Sequence, residues 1–297
     1  MFSKIIIGTD LSEASMEIVR CACGLLPLGT KEVFLVSCIK PWEAVSMAYT
    51  ISLDKIKEML KEQEKILIKQ GFKTQSEIVY GSPHKDINRI AKDNNYSAIL
   101  IGSHGHTPSQ EVPLGSVASE MIHHALKPII LIKLEVINNG KEEKNVCKVI
   151  SPCNEFLSSI LYPTDFSQNA DKAFSYVEKL VENNAKKVTL LHVQDMIKLA
   201  KNTEKELKEF DRIDTERLGA MKERLIKINK DMNIEIKILY GKPSIEILKF
   251  AKSNLPSLVV MGNQGRGFVK ELFIGNVSHT VAREINTSML LIPPANR

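Results

Sequence analysis

One succession of short apolar runs and turns occurs twice along the chain, and this duplication constrains the fold more than any other feature. Ile5-Ile6-Ile7-Gly8-Thr9-Asp10-Leu11-Ser12 matches Ile160-Leu161-Tyr162-Pro163-Thr164-Asp165-Phe166-Ser167. Val79-Tyr80-Gly81-Ser82-Pro83 matches Leu239-Tyr240-Gly241-Lys242-Pro243, and Pro128 to Ile132 matches Thr287 to Ile292. The register slips between the second and third apolar runs, so the second copy has a longer middle helical segment, Lys198 to Lys230. A chain of 297 residues has room for two domains of roughly 150 each. The expected division is 1–134 for the first domain, 135–157 for a linker and 158–297 for the second. Within that linker, polar Asn138 to Asn154 holds Asn-Asn-Gly and Ser-Pro, both turn signals.

Each copy alternates strand-length apolar runs with helical patterns. In the first, strands are expected at Ile5 to Ile7, Val33 to Cys38, Ser76 to Tyr80, Ser97 to Ile101 and Pro128 to Lys133. Helices are expected from Ser12 to about Leu26, from about Leu53 to Gln70, from Gly81-Ser82-Pro83 to roughly Asp93 and from Gly115 to about Ala125. Continuous rather than alternating apolar runs suit strands covered on both faces. The expected fold is therefore α/β, with an open parallel sheet and helices on both faces in each domain.

In such a sheet, ligands bind outside the carboxyl ends of the strands, where the strand order reverses. Asp10 and Asp165 follow strand ends, as do Gly102 and Gly262. Taken alone, Asp10-x-Ser12 is an ordinary helix start. Its recurrence as Asp165-x-Ser167 argues for a site, with the carboxylate accepting from ribose hydroxyls or an adenine amino group. After Ile99 to Ile101 come Gly102, Gly105 and then Gly115-Ser116, which opens a helical pattern. A helix beginning there aims its free N–H groups and positive dipole end at the preceding turn, an arrangement suited to an anion. Gly262, Gly265 and Gly275 repeat the spacing. No G-x-x-x-x-G-K-S/T is present, and Gly262-Asn-Gln-Gly265-Arg-Gly267 is not G-x-G-x-x-G, so neither a Walker-type nor a simple NAD site is supported.

These residues resemble the universal stress protein family in its tandem two-domain form. The resemblance rests on the strand-end aspartates and on G-x2-G-x9-G-S/T, met in full by Gly102, Gly105, Gly115 and Ser116, and it covers both halves outside the linker. It implies two repeated, open five-stranded parallel-sheet domains, Rossmann-like and similar to adenine nucleotide alpha hydrolases, with ATP between the first and fourth strands. Carried over, it places Thr9 and Asp10 at the nucleoside and Cys38 beside the adenine. Gly102, His104, Gly105, Gly115, Ser116, Val117 and Ala118 would surround phosphates and ribose. The second copy offers Thr164, Asp165, Val193, Gly262, Gln264, Gly265, Gly275, Asn276, Val277 and Ser278. It departs at Asn276, where Ser or Thr is usual, and Ala118 lacks the hydroxyl of Ser278. The implied ligand is ATP, ADP or AMP, with Mg2+ accompanying the nucleotide.

The remaining features bound the reading. The formal charge of +5 comes from interspersed Lys and Glu, which reads as solvated helix faces rather than a nucleic-acid track. Arg266 and Lys270 lie in the second glycine loop, where a cation meets either phosphate or water. His104, His106, His123 and His124 read as loop and helix-surface residues rather than a zinc set. Cys21, Cys23, Cys38, Cys147 and Cys153 form no C-x-x-C pair and are expected as reduced thiols of a cytoplasmic protein. No apolar run approaches the ~18 residues of a membrane span. Apolar Pro128 to Lys133 and Ser288 to Pro293 are expected to pair the two copies about a pseudo-twofold axis, and a homodimer is open. The leading expectation is an adenine-nucleotide-binding stress or regulatory protein that binds rather than turns over its ligand, without catalytic residues. The alternatives are a weak ATPase or phosphoryl-transfer enzyme, and a scaffold with decayed sites.

Overall fold

The chain begins with β1 (Lys4–Thr9), whose Ile5, Ile6 and Ile7 are fully buried, as a strand covered on both faces requires. The structure is a computed structural model describing residues 1–39, 53–105, 113–137, 146–150, 153–200, 202–264 and 276–294, with the side chains of Val146, Asn154, Lys198 and Asn276 excepted. Two units emerge, Met1–Asn154 and Glu155–Arg297.

In the first unit, α1 (Glu13–Cys21) starts at Ser12, whose hydroxyl accepts from Ser15 N. It ends earlier than expected, giving way to a 3-10 segment, Ala22–Leu28, that contains Pro27. Then come β2 (Glu32–Ile39), α2 (Leu53–Lys69), β3 (Lys73–Tyr80), α3 (Pro83–Asp93), β4 (Ala98–Gly102), α4 (Ser116–His123) and β5 (Ile129–Ile132). Helix α2 stops where Gly71 takes φ +98, a conformation open to glycine and costly for other residues. All pairings are parallel, in the order β5-β4-β1-β2-β3. The order reverses between β1 and β4, where Ile7 pairs with Leu100, so their carboxyl ends open one crevice.

The stretch after β5 departs from the expected linker. Leu134–Ile137 (β6) pairs antiparallel with Val146–Val149 (β7), with Leu134, Val136 and Cys147 buried, and β7 packs on α1. Just beyond, Cys153 forms a disulfide with Cys21, their Cα atoms 5.3 Å apart. Separate reduced thiols were the expectation for these two. Their separation of 132 residues hides the contact from any local pattern.

The second unit repeats the plan with β8 (Ile160–Thr164), α5 (Gln168–Glu182) and β9 (Lys187–Asp195). Next are α6 (Met196–Leu199), α7 (Glu204–Ile228), β10 (Asn233–Gly241), α8 (Pro243–Asn254), β11 (Leu258–Gly262), α9 (Asn276–Glu284) and β12 (Met289–Ile292). The parallel order is β12-β11-β8-β9-β10, reversing between β8 and β11. The single middle helix expected over Lys198 to Lys230 is two. A capping box at Thr203 and Glu206 starts α7 afresh, because each side chain satisfies a backbone N–H at that helix end.

Candidate functional site

The turn after β1 is built from its own side chains. Thr9 Oγ1 accepts from Leu11 N at 3.0 Å and bonds Gln63 Oε1 of α2 at 2.8 Å. Asp10 Oδ1 accepts from Ser12 N at 3.1 Å and from the Ser12 hydroxyl. Between them, Leu11 has φ +62, in the left-handed region that costs a branched side chain ~1–2 kcal/mol. Strain of that kind persists where the surroundings over-determine it, and it gathers at ligand sites. The second unit has the same turn. Phe166 has φ +57, Phe166 N donates to Thr164 Oγ1 at 3.0 Å, and Ser167 N donates to Asp165 Oδ1 at 3.1 Å.

Across the crevice, Gly105 comes so close to Asp10 that a Cβ added there would collide with Asp10 Oδ2. A side chain at Gly102 would press on Ile18 and His104 O at 3.1–3.2 Å. Gly115 precedes α4 with no side chain capping the helix, and its own N–H donates to Ser103 O at 2.8 Å. That bond fixes the far end of the loop and leaves the first-turn amides of Ser116, Val117 and Ala118 as the group an anion would meet. Ser116 and Val117 are exposed and Ala118 is buried. His104 is tied by Nδ1 to Ser103 Oγ at 2.9 Å. The structure thus brings Asp10, Gly102, His104, Gly105 and the start of α4 to one strand-end crevice. Thr9 Oγ1 is taken up inside the turn, so it shapes the site.

Cys38, near the end of β2, is half-buried, and burial pushes its thiol up to about 12, with Asp86 adding and Arg89 opposing. It is a neutral, apolar surface at neutral pH, as its counterpart Val193 is by chemistry. Two contributors escaped the sequence reading. Ser103 is fully buried and accepts from Leu134 N at 3.0 Å, anchoring the loop from below. Lys133, 3% exposed, reaches Pro113 O at 3.3 Å, and burial lowers its pKa to about 8. Its position directly after an apolar strand was the signal available.

The second crevice is wired differently. Asn169 of α5 donates to Gln264 O at 3.2 Å and Ile292 O at 3.3 Å, and it lies where a Cβ on Gly262 would need to be. The Ser278 hydroxyl donates to Asn263 O at 2.9 Å. Gln264 is buried, and its Nε2 has no hydrogen-bond partner among the described residues. His192 Nδ1 donates to Thr164 O at 2.7 Å, and Nε2 faces Asp214 Oδ2 at 3.3 Å. Gln194 also donates to that carboxylate at 3.0 Å. The His192 ring packs on Phe166, and the Arg217 guanidinium lies over the same Phe166 ring, 5.2 Å from its centroid. Val193 is buried and Val277 half-buried. His106, Gly265, Arg266, Lys270, Gly275 and the Asn276 side chain lie outside the described residues.

Comparison with known proteins agrees with this architecture. The model of the universal stress protein family matches residues 1–133 and again 157–293. Universal stress protein MJ0577 of Methanocaldococcus jannaschii is 30% identical over 155 residues, 45% of this chain and 96% of its own. A universal stress protein of Mycolicibacterium smegmatis is 22% identical over 98% of this chain and 97% of its own length. The crystal structure of a universal stress protein from Archaeoglobus fulgidus superposes with a TM-score of 0.69 at 21% identity, covering 99% of this chain and 97% of that one, which speaks to the fold. Two matched regions, each holding one strand-end aspartate turn, make this chain a member of the universal stress protein family in tandem form.

Proposed function

We propose that the first unit binds an adenine nucleotide, with Asp10 holding the sugar and the Gly102–Ser116 turn and start of α4 holding the phosphates. The observation that carries this reading is the approach of Gly105 to Asp10 Oδ2. That approach sets a carboxylate acceptor beside a loop with no side chain in the way. Asp10 Oδ1 is engaged by Ser12, which leaves Oδ2 as the ligand-facing oxygen. Cys38 offers an uncharged flank for a flat base. Lys133, buried near the loop, adds positive potential where phosphate would lie. A cradle that any Cβ at Gly105 would fill fits a ligand needing close backbone approach.

Binding rather than turnover is the proposed role, because Asp10 is held as an acceptor within the turn. The second unit keeps the turn and the acceptor aspartate, and we propose weaker uptake there, since Asn169 and Ser278 already occupy loop carbonyls. The same reading makes the protein a nucleotide-responsive regulator, the sense in which the family name applies to it.

The test is calorimetric titration of the full-length protein with ATP, ADP and AMP, beside chromatography of nucleotide released on denaturation. Saturable binding that weakens at least tenfold in Asp10→Ala and in Gly105→Val supports the reading. Absence of saturable binding by the folded wild-type protein overturns it. Hydrolysis of bound ATP on the order of 1 s⁻¹ or faster would replace it with an enzymatic one.

A further inference from the structure

Helices α3 and α4 bring together three residues that the nucleotide reading does not use. Pro83 sets the start of α3 and puts His84 in its first turn. Glu120 and His124 stand four residues apart at the end of α4 and so share one face. Glu120 Oε2 is 3.5 Å from His124 Nε2 and 3.9 Å from His84 Nδ1. One nitrogen or oxygen from each residue lies within 4.8 Å of the others. The two imidazoles stack with centroids 5.2 Å apart, and Ser82 Oγ steadies the His84 ring at 3.1 Å from Nδ1.

The packing of these helices does not demand the cluster. In the second unit the matching positions, counted from Pro243 and Gly275, are Ser244, Thr280 and Glu284.

We propose that His84, Glu120 and His124 form a binding site for a divalent transition-metal ion, Zn2+ foremost, with its remaining coordination open to solvent. A tetrahedral ion at 2.0–2.2 Å from nitrogen and oxygen ligands spaces them about 3.3–3.5 Å apart. The two separations involving Glu120 are at or near that spacing. Side-chain rotation closes the third, since Glu120 and His124 are 52% and 44% exposed. Two imidazoles and one carboxylate suit Zn2+, and Ni2+ or Cu2+ after it, over Mg2+ or Ca2+.

The probe is zinc chloride, titrated into chelator-stripped, nucleotide-free full-length protein and followed by calorimetry. One equivalent of zinc bound in the micromolar range, weakened at least tenfold in His84→Ala, Glu120→Gln and His124→Ala and unchanged in Cys23→Ser, supports the site. Zinc uptake that persists in the three variants places the metal elsewhere and overturns the site, as does uptake that disappears in Cys23→Ser, which assigns the metal to a thiol. Glu120→Gln is isosteric and exposed, so it keeps the test readable if a histidine variant unfolds. Substitution by Co2+ gives an independent reading: ligand-field bands without a thiolate charge-transfer band support the site, and a thiolate band overturns it.

Discussion

The two strand-end crevices share a backbone and differ in how it is held. Both turns place a bulky residue, Leu11 or Phe166, at positive φ between a threonine and an aspartate. In the first unit the polar wiring runs inward: Thr9 to Gln63, Ser103 to Leu134 and Gly115 to Ser103. The aspartate then faces the loop glycine. In the second, the wiring runs across the mouth. Asn169 ties down Gln264 O and Ile292 O, and the buried cluster of His192, Gln194 and Asp214 stands where the first unit has Ser37 at the matching register. A duplicated turn therefore conserves the shape of a site while its hydrogen-bond donors and acceptors are spent on different ends.

Because of that contrast, the two units should respond unequally to matched substitutions. The largest difference should come from His192→Ala, which takes the imidazole from Thr164 O, leaves Asp214 with Gln194 as its remaining buried partner and opens a cavity. We expect a loss of about 3 kcal/mol in the second unit, whereas Ser37→Ala should cost within ~1 kcal/mol. Hydrogen exchange on each unit reads both, and equal losses would break the comparison.

Lys133→Met comes next, because Pro293 occupies the corresponding place in the second unit and carries no titrating group. The folded pKa of Lys133 is about 8 against 10.5 for the free side chain. Between those values the unfolded chain holds a proton that the folded chain has released, so wild-type stability rises with pH across that interval. The substitution should therefore stabilise by about 2 kcal/mol at pH 7, with the gain fading as pH climbs through that range. Denaturant melts at several pH values check the slope, and a gain independent of pH would refute it.

Smallest is Asn169→Ala. Removing its amide leaves Gln264 O and Ile292 O to other partners at a cost of ~1–2 kcal/mol. It also removes the group crowding Gly262, and nucleotide affinity in the second crevice should rise. Unchanged affinity with reduced stability would show that Asn169 only braces the loop.

Much of this was legible before the fold was known, for a physical reason. Apolar runs, cap residues and glycine spacing act over a few neighbours, so β1, Ser12 and Ser167, and the turn at Asp10 declare themselves locally. The capping box at Thr203 was equally local, but a charge pattern that continues across it concealed the break between α6 and α7. Asn169 against Gly262, His192 against Asp214 and Cys21 against Cys153 pair residues far apart in sequence, and no window of periodicity contains both partners. His84 with Glu120 and His124 is of the same kind.

The β6–β7 hairpin changes where the first repeat can be cut. Its strands bury Leu134, Val136 and Cys147, and β7 lies on α1. Trimming the gene at the family match, after residue 133, would strip a greasy flank of that helix bare and invite aggregation. An excised half that is meant to stay in solution should keep every residue through Asn154.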